Sequence, residues 1–333
     1  MTSYNSCRNR NCPKCQYSAK ELWVSDRVKE LLPVPYYHMV FTVPHVLNEL
    51  MLWNRKLIFD VLFQSSQLAV KKIFKTKYEA TPGMISLLHT WGSNLSFHVH
   101  VHMLVTGGGI GVTENRWIPA QENYALSVQA LSSIYRAQFL SRLRELHKKN
   151  RLRLPEYLQR LEDFNNQLDQ SYQNDWVVYA KRPFTAPIHV LNYLGNYTHR
   201  IAFSNHRIFS LSENVVSFSF KDYAEGSHEK KVMTLQTTEF LRRYLMHIVP
   251  RRFVKIRFFG FMAHRNRKHN IERARELITK DKRLKALDSK TLEEIIAEFK
   301  KTHAMDTDQC PKCKEGQMLQ IDILEKPTRE DSS

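Results

Sequence analysis

Apolar and polar residues alternate along Phe97-His98-Val99-His100-Val101-His102-Met103-Leu104-Val105. A period of two predicts a β-strand, with Val99, Val101 and Met103 on one face and His98, His100 and His102 on the other. The fully apolar face predicts a central place in a sheet. Strands are also predicted over 36–42, stopped by Pro44, and over 84–91, 176–180 and 216–220. Helix-spaced Leu57, Val61, Leu62, Leu68 and Ile73 predict a helix within 45–78, with a break at Pro82-Gly83. Leu131, Ile134, Tyr135, Phe139 and Leu143 predict another over 122–149. Further helices are predicted over 20–33, 156–170, 187–199 and 235–248, and in the charged tail from about 265. The triplet Gly107-Gly108-Gly109 is expected to end the histidine strand as a flexible turn. No Lys-Ser or Lys-Thr follows it, which argues against a nucleotide P-loop.

Strands dispersed among helices predict an α+β fold. A central antiparallel sheet carries the His-hydrophobic-His motif, helices flank it, and a small cysteine-rich segment is appended. The expected divisions are a partial zinc-binding segment over 1–30, a core over 31–264, and a charged helical region over 265–333 that ends in a disordered tail.

Charge narrows the range of partners. Fifty Lys+Arg against 33 Asp+Glu give +17 in 333 residues, with a pI near 9.6. A cationic surface of that size favours a polyanion, most simply nucleic acid. No run of 18 apolar residues or signal-peptide core occurs, so a cytoplasmic protein without a membrane partner is expected. The five cysteines form two clusters, Cys7, Cys12 and Cys15 near one end and Cys310 and Cys313 near the other, and both contain Cys-Pro-Lys-Cys. That spacing lets two thiolates grip one zinc ion. Either Cys7 or the Cys310/Cys313 pair would complete a site on Cys12 and Cys15.

Adjacent histidines of the strand stand roughly 7 Å apart along it, so His98/His100 or His100/His102 can share one ion. Polar rings on one strand face are costly to bury without a ligand or partner. A second pattern is Tyr193-Leu194-Gly195-Asn196-Tyr197, which in a helix places both phenols on one face. Beside a metal site, a tyrosine is a candidate covalent nucleophile for a phosphodiester.

The order of these features resembles the rolling-circle insertion-sequence transposases of the HUH endonuclease superfamily, in the two-tyrosine class typified by insertion sequence ninety-one. The resemblance runs through Ser6 to Gln16, Phe41-Thr42-Val43-Pro44-His45, Leu88-His89-Thr90-Trp91-Gly92 and His98 to Gly109. It continues through Trp176 to Phe184, Tyr193 to Asn205 and Phe259-Gly260-Phe261. It implies that His100 and His102 are ligands for Mg²⁺ or Mn²⁺, with His98 beside them and His89 as the expected third ligand on a neighbouring strand. It implies that Tyr193 and Tyr197 are nucleophiles forming a 5′-phosphotyrosine on single-stranded DNA at the ends of a mobile element. No nucleotide cofactor is needed for that chemistry. Lys181, Arg182, His199, Arg200, Arg207, Arg265 and Arg267 are the candidates for the DNA groove. Relatives usually carry further cysteine or histidine ligands ahead of Ser6. The zinc segment is therefore expected to be shortened, with at most one tightly held zinc. A rolling-circle replication initiator, an inactive DNA-binding remnant and an RNA-binding zinc protein are the competing readings.

Overall fold

A computed structural model of the chain describes residues 7, 9–12, 15–16, 19–20, 23–24, 27, 30–120, 127–173, 176–184, 199, 201–222, 229–281 and 294. Of residues 181–184 it describes the backbone alone. The chain divides into two units at residue 289, and the strands and helices that follow lie in Met1–Ser289.

The principal sheet runs β5-β1-β3-β2-β9, with a short β4 also paired to β3. Its strands are β1 (Tyr36–Thr42), β2 (Ala80–Trp91), β3 (Phe97–Gly111), β4 (Trp117–Pro119), β5 (Val178–Phe184) and β9 (Ile256–Gly260). Every pairing is antiparallel. The histidine strand β3 lies at the centre, between β1 and β2, as its apolar face predicts.

That apolar face packs against two helices. Tyr37, Met39 and Phe41 of β1, Met84 and Leu88 of β2, and Val99, Val101, Met103 and Val105 of β3 belong to one buried core. The helix α2 (Arg55–Tyr78), buried around most of its circumference, adds Ile58, Phe59, Leu62, Phe63, Val70 and Phe74 to it. A short α1 (Asn48–Trp53) precedes it. The helix α3 (Val128–Lys148) adds Leu131, Tyr135, Phe139 and Leu143, and its N-terminus is capped by the Ser127 hydroxyl, which accepts from the Ala130 amide. The Tyr135 hydroxyl donates to the Thr42 carbonyl at 3.1 Å and ties this helix to β1. A further helix, α4 (Leu161–Gln173), buries Phe164 and Leu168 in the same core.

A second, three-stranded sheet, β6 (Ile208–Leu211), β7 (Val215–Lys221) and β8 (Lys230–Gln236), stands beside the end of the β2–β3 hairpin. Its small core joins Phe203, Val216 and Phe218 to Leu95 of that hairpin, and Phe240 and Tyr244 of α5 (Thr237–Met246) pack on it. The last described helix is α6 (Arg267–Lys280).

Two glycine-based expectations are corrected. Pro82 and Gly83 do not break the chain but lie inside β2, at a register shift against β3 where the missing proline N–H is tolerated. Gly107, Gly108 and Gly109 are not a flexible turn, because β3 runs through them to Gly111. A Cβ on Gly109 would come within 2.5 Å of the Thr81 carbonyl, so the triplet buys close strand approach. Gly260 follows the same logic at φ +64°, where a Cβ would meet the Pro82 carbonyl oxygen.

Candidate metal centre

The face of β3 opposite the helices carries the histidines. His100 and His102 alternate with core valines, and the antiparallel register sets His89 of β2 directly opposite His100. His89, His100 and His102 each offer a ring nitrogen, and these atoms lie within 4.8 Å of one another. All three side chains are buried. The Nε2 atoms of His100 and His102 are 3.1 Å apart. Imidazole nitrogens bound to one ion at about 2.1 Å stand about 2.9 Å apart at a right angle and about 3.4 Å apart at the tetrahedral angle. The observed spacing lies between these values, so the pair fits a shared ion.

The surroundings set the protonation and orientation of these rings. The His100 Nδ1–H donates to the His98 carbonyl at 2.9 Å, which leaves the Nε2 lone pair pointing inward. Burial drives the His100 pKa down to about 3, with His98 adding repulsion, so the ring is neutral at physiological pH. Trp91 stacks on His89 with centroids 4.5 Å apart and planes 21° apart, which fixes that ring. His102 turns its other nitrogen, Nδ1, to Nε2 of His38 on β1, at 3.2 Å. Neither His38 nor Trp91 was expected at the site. Alternation along 36–42 does place His38 opposite the core face, but only the β1–β3 pairing shows that this is the histidine face.

His98, expected as a ligand, is not in the triad. Its ring lies 5.5 Å from that of His45, and burial lowers its pKa, with His45 adding to the effect. What it gives the site is its backbone carbonyl.

The cysteines near the start of the chain form a second group. The sulfurs of Cys7, Cys12 and Cys15 lie within 4.8 Å of one another, with Cys7 and Cys15 at 3.4 Å. Thiolates on one tetrahedral zinc stand about 3.8 Å apart, given Zn–S bonds of about 2.3 Å. The cluster therefore fits zinc with small movements. Between them, Arg10 donates to the carbonyls of Val249 and Phe253 at 2.9 and 2.8 Å and also to that of Pro250. The Tyr244 hydroxyl donates to the Asn11 carbonyl. The cysteine segment is thus bolted to the end of α5 and the turn before β9.

Of the groove candidates, Arg265 is exposed. Two others are engaged inside the fold. The Arg207 guanidinium donates to the carbonyls of Ser219, Ala202 and Ser93 and lies over the Phe203 and Phe218 rings. Arg267 pairs with Glu30 at 3.1 Å and covers Phe258. His199 is half-buried beside Trp23, and its pKa is lowered to about 4 by burial and then by Lys255 and Lys20. It is neutral at pH 7. Lys181 and Arg182 lie on the edge strand β5, where Lys181 pairs with His38 through the backbone. Tyr193, Tyr197, Arg200, Cys310 and Cys313 lie outside the described residues, as do the predicted tyrosine helix, up to His199, and the tail.

Residues 83–270 match the family described as "Putative transposase", and residues 1–43 match "Transposase zinc-binding domain". The chain is 35% identical over 331 residues to "Putative transposase y4qJ" of Sinorhizobium fredii, covering 98% of this chain and 83% of the relative. It is 28% identical over 276 residues to "Transposase for insertion sequence element IS801" of Pseudomonas savastanoi pv. phaseolicola, covering 78% of this chain and 62% of that protein. No solved structure matches. Among the described residues, no helix is long and apolar enough to cross a membrane. With its matched core and its cysteine triad at the matched zinc-binding segment, the chain belongs to the insertion-sequence-ninety-one family of two-tyrosine transposases.

Proposed function

We propose that this transposase cuts and rejoins single-stranded DNA at the ends of a mobile element through a 5′-phosphotyrosine intermediate, with the divalent-ion site on His89, His100 and His102. The observation that carries this reading is the convergence of three buried imidazoles on the paired strands β2 and β3, inside the segment matched to the transposase family. His89, His100 and His102 would hold the divalent cation, which would supply Lewis-acid stabilisation of the charge developing on the scissile phosphate.

The chain's own groups supply the rest. A phenol of Tyr193 or Tyr197 attacks phosphorus, the bond to the 3′ oxygen breaks, and that oxygen leaves as a 3′-hydroxyl after taking up a proton. The phenol gives up its own proton in the same exchange. Because one phosphoester replaces another, bond energy is conserved and rejoining needs no nucleotide. Two tyrosines hold two DNA ends in one site. The excess of cations draws in the strand and makes binding salt-dependent. All-imidazole donors suit Mn²⁺ better than Mg²⁺, which prefers oxygen ligands.

The test is incubation of the full chain with labelled single-stranded element ends and Mn²⁺ or Mg²⁺. A covalent protein–DNA adduct with a free 3′-hydroxyl on the released strand is the expected product. Cleavage without any adduct would contradict the reading.

A further inference from the structure

The imidazoles on the histidine face form a chain of contacts that extends past the three candidate ligands. His38 sits on β1, where Val40 is the direct partner of His102 and His38 that of Leu104. It is therefore the diagonal neighbour of His102 on the same face. Its Nε2 is 3.2 Å from the His102 Nδ1, and the two rings stack with centroids 5.4 Å apart and planes 16° apart. His38 is only 5% exposed. The sequence of contacts runs from His38 Nε2 to His102 Nδ1, from His102 Nε2 to His100 Nε2, and from His100 Nδ1 to the His98 carbonyl.

Proton positions along this chain follow from one fixed end. A carbonyl only accepts, so the His100 Nδ1 carries the hydrogen and its Nε2 carries a lone pair. His102 then has two arrangements. With its proton on Nε2, it donates to His100, and that pair of nitrogens is closed to a cation. With its proton on Nδ1, it needs an acceptor on that side, and its Nε2 lone pair joins that of His100. The atom that stands on the Nδ1 side is the His38 Nε2. Ligating histidines are commonly held this way by a group that accepts from the far ring nitrogen.

We infer that His38 is a positioning residue for the metal centre: by accepting from the His102 Nδ1–H it holds His102 in the tautomer whose Nε2 binds the ion. The inference rests on the metal reading proposed above. It assigns His38 no contact with the ion or with DNA. His38 acts through His102 alone, and its neutral imidazole takes the place that a carboxylate or carbonyl more often fills.

The experiment is titration of the metal-free full chain with Mn²⁺ by calorimetry, for the wild type, His38→Phe and His38→Gln. Phenylalanine keeps a ring to stack on His102 but has no acceptor, while glutamine offers an amide oxygen. His38→Phe is expected to weaken Mn²⁺ binding about 10–100-fold, the range found for removal of such partners, and His38→Gln to recover most of the loss. Single-stranded DNA binding without metal should be unchanged in both. The tautomer is read independently by nitrogen NMR of the wild type loaded with diamagnetic Mg²⁺, which should show His102 protonated at Nδ1. Wild-type affinity in His38→Phe, no recovery in His38→Gln, or His102 protonated at Nε2 would each overturn the role of His38 alone. A wild-type chain that takes up no Mn²⁺ would overturn the metal reading and this role with it.

Discussion

His89 faces His100 directly across the β2–β3 ladder, and their rings meet edge to face with centroids 5.5 Å apart. Two strands thus bring together nitrogens that neither could supply alone. Alanine at His89, His100 or His102 should reduce cleavage at least about a hundredfold, since a Lewis acid contributes several kcal/mol to such a step. DNA binding should stay close to wild type, because affinity comes from the cationic surface. His98→Ala should be much milder, since the site uses the carbonyl of residue 98. Gel assays of cleavage and of binding, run in parallel on the four variants, check this. A His98 variant as inactive as His100→Ala would place the ion elsewhere.

The donor set also sets a metal preference. With imidazole nitrogens as the protein ligands, cleavage should reach half its maximal rate at a lower concentration of Mn²⁺ than of Mg²⁺, by about tenfold or more. Titration of both ions against initial rate measures it. Equal requirements, or a preference for Mg²⁺, would point to a carboxylate among the ligands.

What the sequence reveals here depends on whether both faces of an element carry a signal. The strand β3 was legible because its valines and its histidines alternate without a break, and its central place followed from its apolar face. His89 was legible once a neighbouring strand was assumed. His38 was not, because its part depends on β1 pairing with β3 across a long loop. β6 and β8 escaped notice for a related reason. One is four exposed residues and the other is largely exposed, so local pattern says little and non-local pairing decides. The basic side chains are legible in a different way. Arg207 holds backbone carbonyls and two phenylalanine rings, and Arg267 holds Glu30 and Phe258, packing that charge alone does not announce.

Arg10 links the cysteine segment to the core, so its loss should be felt as stability. Three carbonyls accept from its guanidinium, and hydrogen bonds to a charged group each contribute about 1.5–3 kcal/mol when buried. This site is only partly buried, so Arg10→Ala should cost about 2 kcal/mol in chemical denaturation. Arg10→Lys should not restore it, since a lysine lacks the planar fork. Zinc chelation and Arg10→Ala should be less than additive, because both loosen the same segment. A loss under about 0.5 kcal/mol would show that the clamp is not formed in solution.

His247 gives the fold an acid limit. Its Nε2–H donates to the Leu95 carbonyl at 3.2 Å and its Nδ1 accepts from the Thr90 hydroxyl at 3.4 Å. Burial lowers its pKa to about 4, against the upward pull of its hydrogen bonds to the backbone of Leu95 and Thr90, with Arg55 adding to the lowering. The unfolded chain, with the ordinary value of 6.5, binds the proton first. Stability from this group is therefore complete above about pH 6.5 and is lost as pH falls toward 4. Thermal melts of the metal-free chain should drop between pH 7 and pH 5, and His247→Gln should flatten that slope. An unchanged slope in the variant would remove His247 as a source of it.

The central claim is covalent chemistry by a tyrosine beside the histidine site. Phenylalanine at both Tyr193 and Tyr197 removes only the two phenol oxygens and keeps the rings. The decisive measurement is the yield of covalent protein–DNA adduct on labelled single-stranded element ends with Mn²⁺, in the wild type and the double variant. An adduct is expected in the wild type, none in the double variant, and a strong reduction in at least one single variant. An adduct that persists when both oxygens are gone would contradict that claim.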